Sequence, residues 1–264
     1  TLRMSAYNME IGLSTVIPAL IGESGKIVLS AKLFGDIVRR MPADTLDFSI
    51  DEKNIATIRS GMSEFTIIGI PAEDFPEFPS FENDSVIKLP ANMLKSMIGQ
   101  TLFAVSESDT KPIHQGSLFN IVNGTLDVVS VDGYRLAVRT EKINFPDDTY
   151  FVIPGKTLSE LLKILPDDDT NVTLYVGLRN IRIETDGYTL FSSLFEGEFL
   201  DYHAAIPASS TTNLVVNTRE FINSVERVSL LITEKLKSPV RCICDDGEIR
   251  ISCATAIGKA SDAI

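Results

Sequence analysis

The chain has 264 residues, 44% hydrophobic and 23% charged, with a net charge of −12. That length allows two domains with cores of their own, while no apolar run reaches the roughly 18–20 residues that cross a bilayer and no signal-peptide pattern opens the chain. The three cysteines, Cys242, Cys244 and Cys253, form no disulfide framework and lack the second ligand pair of a structural zinc site, so a reducing, cytoplasmic setting with no metal or cofactor is expected.

In chain order, the sequence opens in strand-like residues. Ile27–Leu29 reads as a short strand, and Ala31–Met41 as a helix with Leu33, Phe34, Ile37, Val38 and Met41 at helical spacing, stopped by Pro42. Leu46–Ile50, Ile55–Ile58 and Glu64–Ile68 follow as strands. A second kind of half-unit has a strand at Val86–Leu89, a helix from Ala91 to about Gly99, and strands at Leu118–Val122, Leu126–Val131 and Arg135–Thr140. The first plan returns with a strand at Phe151–Ile153, a helix over Lys156–Leu165, and strands at Val172–Val176, Ile181–Glu184 and Thr189–Leu194. The second returns as Leu214–Val216, a helix from Thr218 to about Val228, Val240–Cys244 and Ile249–Cys253. Asn123-Gly124 and Asp246-Gly247 mark hairpin turns.

These plans recur because the sequence does. Lys26–Pro42 lies over Tyr150–Pro166 without a gap, Lys32 on Lys156 and Pro42 on Pro166, a shift of 124 positions. Asn54–Gly61 lies over Asn180–Gly187 and Phe75 over Phe199. Thr1–Met4 lies over Thr125–Val128, so residue 1 is expected to fall mid-repeat, and the last residues reach a similar phase. The expected organisation is a partial domain at 1–82, a complete one at 83–207 including its linker, and a partial one at 208–264, as in a fragment of a three-repeat protein.

Charge separates the elements. The predicted helices carry Lys32, Arg39, Arg40, Lys95, Lys156, Lys163, Arg219 and Arg227, more cations than carboxylates, in an otherwise acidic chain. Such cations read either as ordinary solvated helix faces or as a face for weak contact with phosphates, which permits sliding, and no base-reading helix or stacking platform is visible. No catalytic constellation appears. Neither His114 nor His203 is coupled to a nucleophile, there is no phosphate-binding glycine loop, and Asp167–Asp169 reads as a loop capping the turn after its helix.

The motifs Val131-Asp-Gly-Tyr-Arg-Leu-Ala-Val138, Ala72-Glu-Asp-Phe-Pro76 and Gly197-Glu-Phe-Leu-Asp-Tyr202, with Gly116-Ser-Leu-Phe119 and Thr233-Glu-Lys235, give the chain a resemblance to the bacterial DNA polymerase III beta subunit family, the replicative sliding clamps, along essentially its whole length. The resemblance implies an α+β fold of repeated DNA-clamp domains, with helices lining a ring and antiparallel sheets outside. It implies a homodimer that encircles double-stranded DNA without sequence preference and catalyses nothing. It makes the helix cations DNA-facing and adds Lys111, in a loop near the bore. It implies a peptide pocket for the polymerase III alpha subunit, the clamp loader, other polymerases and repair proteins. That pocket is formed by His114, Val131, Gly133, Tyr134, Arg135, Leu136, Leu200, Ala204, Ala205 and Leu236. His114 stands where the family usually has an aliphatic residue, Val131 where Thr is frequent, and Ala204 where a longer side chain is common. Other readings are a two-domain trimeric clamp of the archaeal and eukaryotic type, whose length fits but whose motifs do not, a β-rich interaction module that never meets DNA, and a duplicated-domain hydrolase.

Overall fold

Period-two burial marks the core strands. In the computed structural model, which describes residues 1–79, 85–108, 110–233, 238–245 and 247–264, the segment Asn180–Thr185 alternates strictly between half-buried and buried residues. The chain divides into a first unit, Thr1–His203, and a second, Ala204–Ile264.

The first unit begins with β1 (Leu2–Tyr7), β2 (Ile11–Ile17), α1 (Ala31–Val38), β3 (Asp47–Ile50), β4 (Ile55–Ser60) and β5 (Ser63–Ile68). It continues with β6 (Ser85–Pro90), α2 (Ala91–Thr101), β7 (Gly116–Val122), β8 (Thr125–Val131) and β9 (Leu136–Lys142). Then come β10 (Thr149–Pro154), α3 (Gly155–Ile164), β11 (Asn171–Val176), β12 (Asn180–Thr185) and β13 (Tyr188–Ser193). A short helix, α4 (Tyr202–Ala205), marks the boundary between units, and the second unit holds α5 (Thr218–Ser229), β14 (Arg241–Asp245), β15 (Glu248–Thr255) and β16 (Gly258–Ala263).

All strand pairing in the four sheets is antiparallel. The largest runs β1-β2-β13-β12-β11-β6, beside a four-stranded sheet β10-β7-β8-β9 and three-stranded sheets β3-β4-β5 and β14-β15-β16. The main core fills the space between the six- and four-stranded sheets and helices α2 and α3, with Phe119, Leu94, Met97, Leu126, Leu158 and Ile183 almost completely buried. The repeat is visible in this arrangement. Helix α1 corresponds to α3, strands β3–β5 to β11–β13, and the isolated bridge Val28–Ile70 to the bridge Val152–Phe195.

Turn chemistry fixes the registers. Asn123 and Gly124 both take positive φ, 50° and 68°, the primed-turn geometry that matches strand twist. Asn217 caps α5, its side chain accepting from the backbone N–H of Arg219 and Glu220 at 3.0 and 3.2 Å. Helix α2 follows Pro90 and has no side-chain cap. Its first N–H groups donate instead to the carbonyls of Thr170 and Asp168, at 2.9 and 2.8 Å. The Asp167–Asp169 segment, expected to cap the turn after α3, therefore also serves the start of α2.

Several expected boundaries are corrected. Ile27–Leu29 is not a strand but contributes the single bridge at Val28. Leu214–Val216 forms no strand, and Val215 is fully exposed. Helix α1 ends at Val38, short of Met41. Arg39 bonds back to Gly35, whereas Arg40 and Met41 bond back to Ile37 and Val38, the tightened last turn expected as Pro42 approaches. Helix α2 runs past Gly99 to Thr101, whose hydroxyl bonds back to the Met97 carbonyl at 2.9 Å. Strand β16 lacks apolar alternation and is held by continuous pairing with β15. Asp246 and the Glu234–Lys237 stretch, with Leu236, lie outside the described residues.

Candidate nucleic-acid and peptide interfaces

Ion pairing sorts the helix cations into two groups. Asp36 holds Arg39 at 3.2 Å and Arg40 at 4.0 Å. Glu160 holds Lys163 at 2.7 Å, and Asp262 holds Arg227 through Nε at 2.8 Å. Lys95 is anchored twice, to Asp167 at 2.7 Å and to the Leu165 carbonyl at 2.9 Å. Lys32, Lys156 and Arg219 are exposed on the first turns of α1, α3 and α5 and make no ion pair among the described residues. Lys111 is likewise exposed, just before the single-turn segment Pro112–Gln115. Within its own helix Lys95 is expected to stand alone, because no carboxylate shares that helix; its partner instead comes from the segment after α3, a pairing that residue order does not show.

The second surface is built on the outer face of the four-stranded sheet. Leu118, Val129 and Val152 point to that face and bury Tyr202, with Ile113, Leu136, Phe195 and Phe199 packed around them. The Asp-Gly-Tyr-Arg-Leu motif is a self-contained turn between β8 and β9. Asp132 Oδ1 accepts from the backbone N–H of Tyr134 and Arg135 at 3.0 and 3.1 Å, and its Oδ2 accepts from Arg135 Nε at 2.7 Å. Those bonds, first the one from Tyr134, hold the Asp132 carboxyl below the ordinary carboxylate range. Gly133 takes φ +87°, a conformation that strains a side-chain-bearing residue. The turn presents Tyr134 fully to solvent, sets the Arg135 guanidinium 5.5 Å from the centroid of the Phe103 ring, and returns Leu136 to the apolar cluster. Val131 is buried at the end of β8.

His114 meets this cluster edge-on, its ring 5.3 Å from that of Phe199. Burial, and secondly the charge of Lys111, push its pKa below the usual histidine value, so it is neutral at physiological pH. Leu200 remains exposed beside Phe199 and lines a depression of about 190 Å³ with Leu118, Tyr150 and Tyr202. The structure thus brings His114, Leu136 and Leu200 around one apolar patch. Gly133, Tyr134 and Arg135 form the adjoining turn, and Ala204 and Ala205 open the second unit. Sequence reading missed Tyr202 and Asp127. The Tyr202 hydroxyl donates to Asp127 Oδ2 at 2.7 Å and accepts from Asn120 Nδ2 at 3.1 Å. No local spacing signals a contact formed across so much sequence.

Residues 1–79 match the model of the DNA polymerase III beta subunit N-terminal domain, and residues 88–201 that of its central domain. The Halalkalibacterium halodurans beta sliding clamp is 32% identical over 273 residues, covering 98% of this chain and 72% of that protein. The chain belongs to the DNA polymerase III beta subunit family. The Bacillus subtilis beta sliding clamp is 36% identical over 248 residues, and the match spans 66% of its length and 92% of this chain. Among solved members of the family, a putative beta subunit from Eubacterium rectale superposes with a TM-score of 0.93 at 32% identity, covering 99% of this chain and 72% of that one. The α+β architecture with antiparallel sheets is that of the beta subunits.

Proposed function

We propose that this chain acts as a DNA sliding clamp: a homodimeric ring subunit that encircles duplex DNA and tethers the replicative polymerase, without catalysing a reaction itself. The observation that carries this reading is the family match across both the N-terminal and the central domain models. The charge pattern supports it, since exposed cations recur on the first turns of α1, α3 and α5 in a chain of net charge −12. A duplex carries a dense, sequence-independent phosphate charge, and a handful of such cations gives weak contact that permits sliding. We assign Lys32, Arg39, Arg40, Lys95, Lys111, Lys156, Lys163, Arg219 and Arg227 to the DNA-facing set, with the three unpaired first-turn cations as its strongest members. The domains we assign are 1–82, 83–207 and 208–264, with the cytoplasm as the working compartment. Among the described residues no helix is long and apolar enough to cross a membrane.

The apolar patch around Leu136, Leu200, Phe199 and His114 is the docking surface for short partner segments of the polymerase, loader and repair proteins. Large apolar side chains half-exposed around a buried floor suit Leu and Phe anchors. The deciding experiment loads the protein onto nicked circular DNA with a clamp loader, then linearises the circle. Retention on the circle and release from the linear form is the expected result. Equal retention on both forms is incompatible with encirclement.

A further inference from the structure

The depression beside Leu200 has a charge character that apolar docking alone leaves unused. Its floor is the buried Leu118 and Tyr202 side chains, with Asn120 donating to the Tyr202 hydroxyl at 3.1 Å. Its rim is exposed: the Tyr150 ring, 63% accessible, Leu200, and the carboxylates of Glu198 and Asp201. Among the described residues no lysine, arginine or histidine lines it, and the His203 ring lies 4.1 Å from the Tyr202 ring. A third carboxylate, Asp127, stands behind the floor and binds the Tyr202 hydroxyl at 2.7 Å. The neighbouring Glu196 is matched by Arg179 at 2.9 Å, whereas Glu198 makes no ion pair among the described residues. The Tyr202 phenol is pushed up to about 12, first by burial and then by Asp127, as expected where negative charge is disfavoured.

We infer that this depression receives the cationic side chain, lysine or arginine, of a partner segment whose neighbouring apolar residue rests against Leu200. An apolar floor accepts the methylene stem of such a side chain while its head stays near water. Aromatic faces attract a cation through their quadrupole, and the rim carboxylates add direct charge complementarity. An acidic side chain would meet like charge, and a neutral one would gain from the floor alone. The inference rests on the docking role proposed above and adds to it a requirement for charge next to the anchor.

The test uses the full chain and three synthetic peptides sharing a Leu/Phe anchor, differing only in the flanking residue: lysine, norleucine or glutamate. Exposed cation–π and ion-pair contributions together predict about three- to tenfold tighter binding of the lysine peptide than of the norleucine peptide, with the glutamate peptide weakest. Glu198→Gln should remove most of the lysine advantage, and so should raising the salt concentration, while leaving norleucine binding unchanged. Equal affinity for lysine and norleucine peptides, or a lysine advantage untouched by Glu198→Gln, overturns the inference while the docking surface stands. Failure of all three peptides to bind overturns the docking surface itself. Glu198 is exposed and outside the packed cluster, so its substitution does not threaten the fold.

Discussion

Tyr202 binds the loop after β13 to the sheet beneath it. Its ring is buried and its hydroxyl has two fixed partners, Asp127 and Asn120. A phenol held up to about 12 in the folded chain and near 10 when unfolded gives a specific pH signature. Between those values the unfolded chain has lost a proton that the folded chain retains, so stability declines as pH rises through that window. Comparing urea midpoints at pH 9 and 11 should therefore show a smaller alkaline loss in Tyr202→Phe than in the unmodified protein. An identical loss would mean that the phenol does not titrate as its surroundings require. The leucines divide by the same reasoning. Leu200 is exposed, so Leu200→Asp should weaken an apolar-anchored peptide at least tenfold, read by calorimetry, with the thermal midpoint unchanged. Leu136 is packed into the cluster, and Leu136→Asp should lower the midpoint as well as the affinity, because it places a carboxylate against apolar neighbours.

At the scale of the element, two lysines on neighbouring helices should behave oppositely. Lys156 is exposed on the first turn of α3 and unmatched by any carboxylate among the described residues. Lys156→Ala should reduce the salt dependence of DNA binding by about one in slope per protomer and leave stability alone. Lys95 ties α2 to the end of α3 through the Leu165 carbonyl and Asp167. Lys95→Ala should cost stability, on the order of 1 kcal/mol for the lost charge-assisted bond, and change the salt slope less. Urea titration and salt-dependent anisotropy on the two variants separate these outcomes. Helix α1 was legible from the spacing of Leu33, Phe34 and Ile37, and α3 because Tyr150–Pro166 repeats Lys26–Pro42. Strands β11 and β12 were legible because both partners alternate. Strand β16 was not, since Gly258–Ala263 is polar and owes its conformation to β15. Leu214–Val216 shows the converse error: a β-branched run is only a weak instruction unless another strand is there to pair with it. For the candidate site, the resemblance supplied His114, Leu136 and Leu200, but neither the Lys95–Asp167 pair nor the Tyr202–Asp127 contact follows from residue order.

At the scale of the whole first unit, the segments β6–β9 and β10–β13 are laced together. Strand β6 leaves its own half-unit to pair with β11, and β10 leaves the other half to pair with β7. The loop after α3 completes the hydrogen bonding of α2. Amides of β7–β8 and of β11–β12 should accordingly exchange with one common opening free energy, measured by native-state hydrogen exchange. Two well-separated protection levels would show that each half opens alone.

That strand exchange also orders events during synthesis. When the ribosome has completed β9, the partners of β6 and β7 at β11 and β10 do not yet exist, so the nascent segment holds two unfilled ladder edges. Sealing both waits until β11 has emerged, so the segment from β6 to β11 closes in one late step of translation, and its unfinished first half carries those open edges until then.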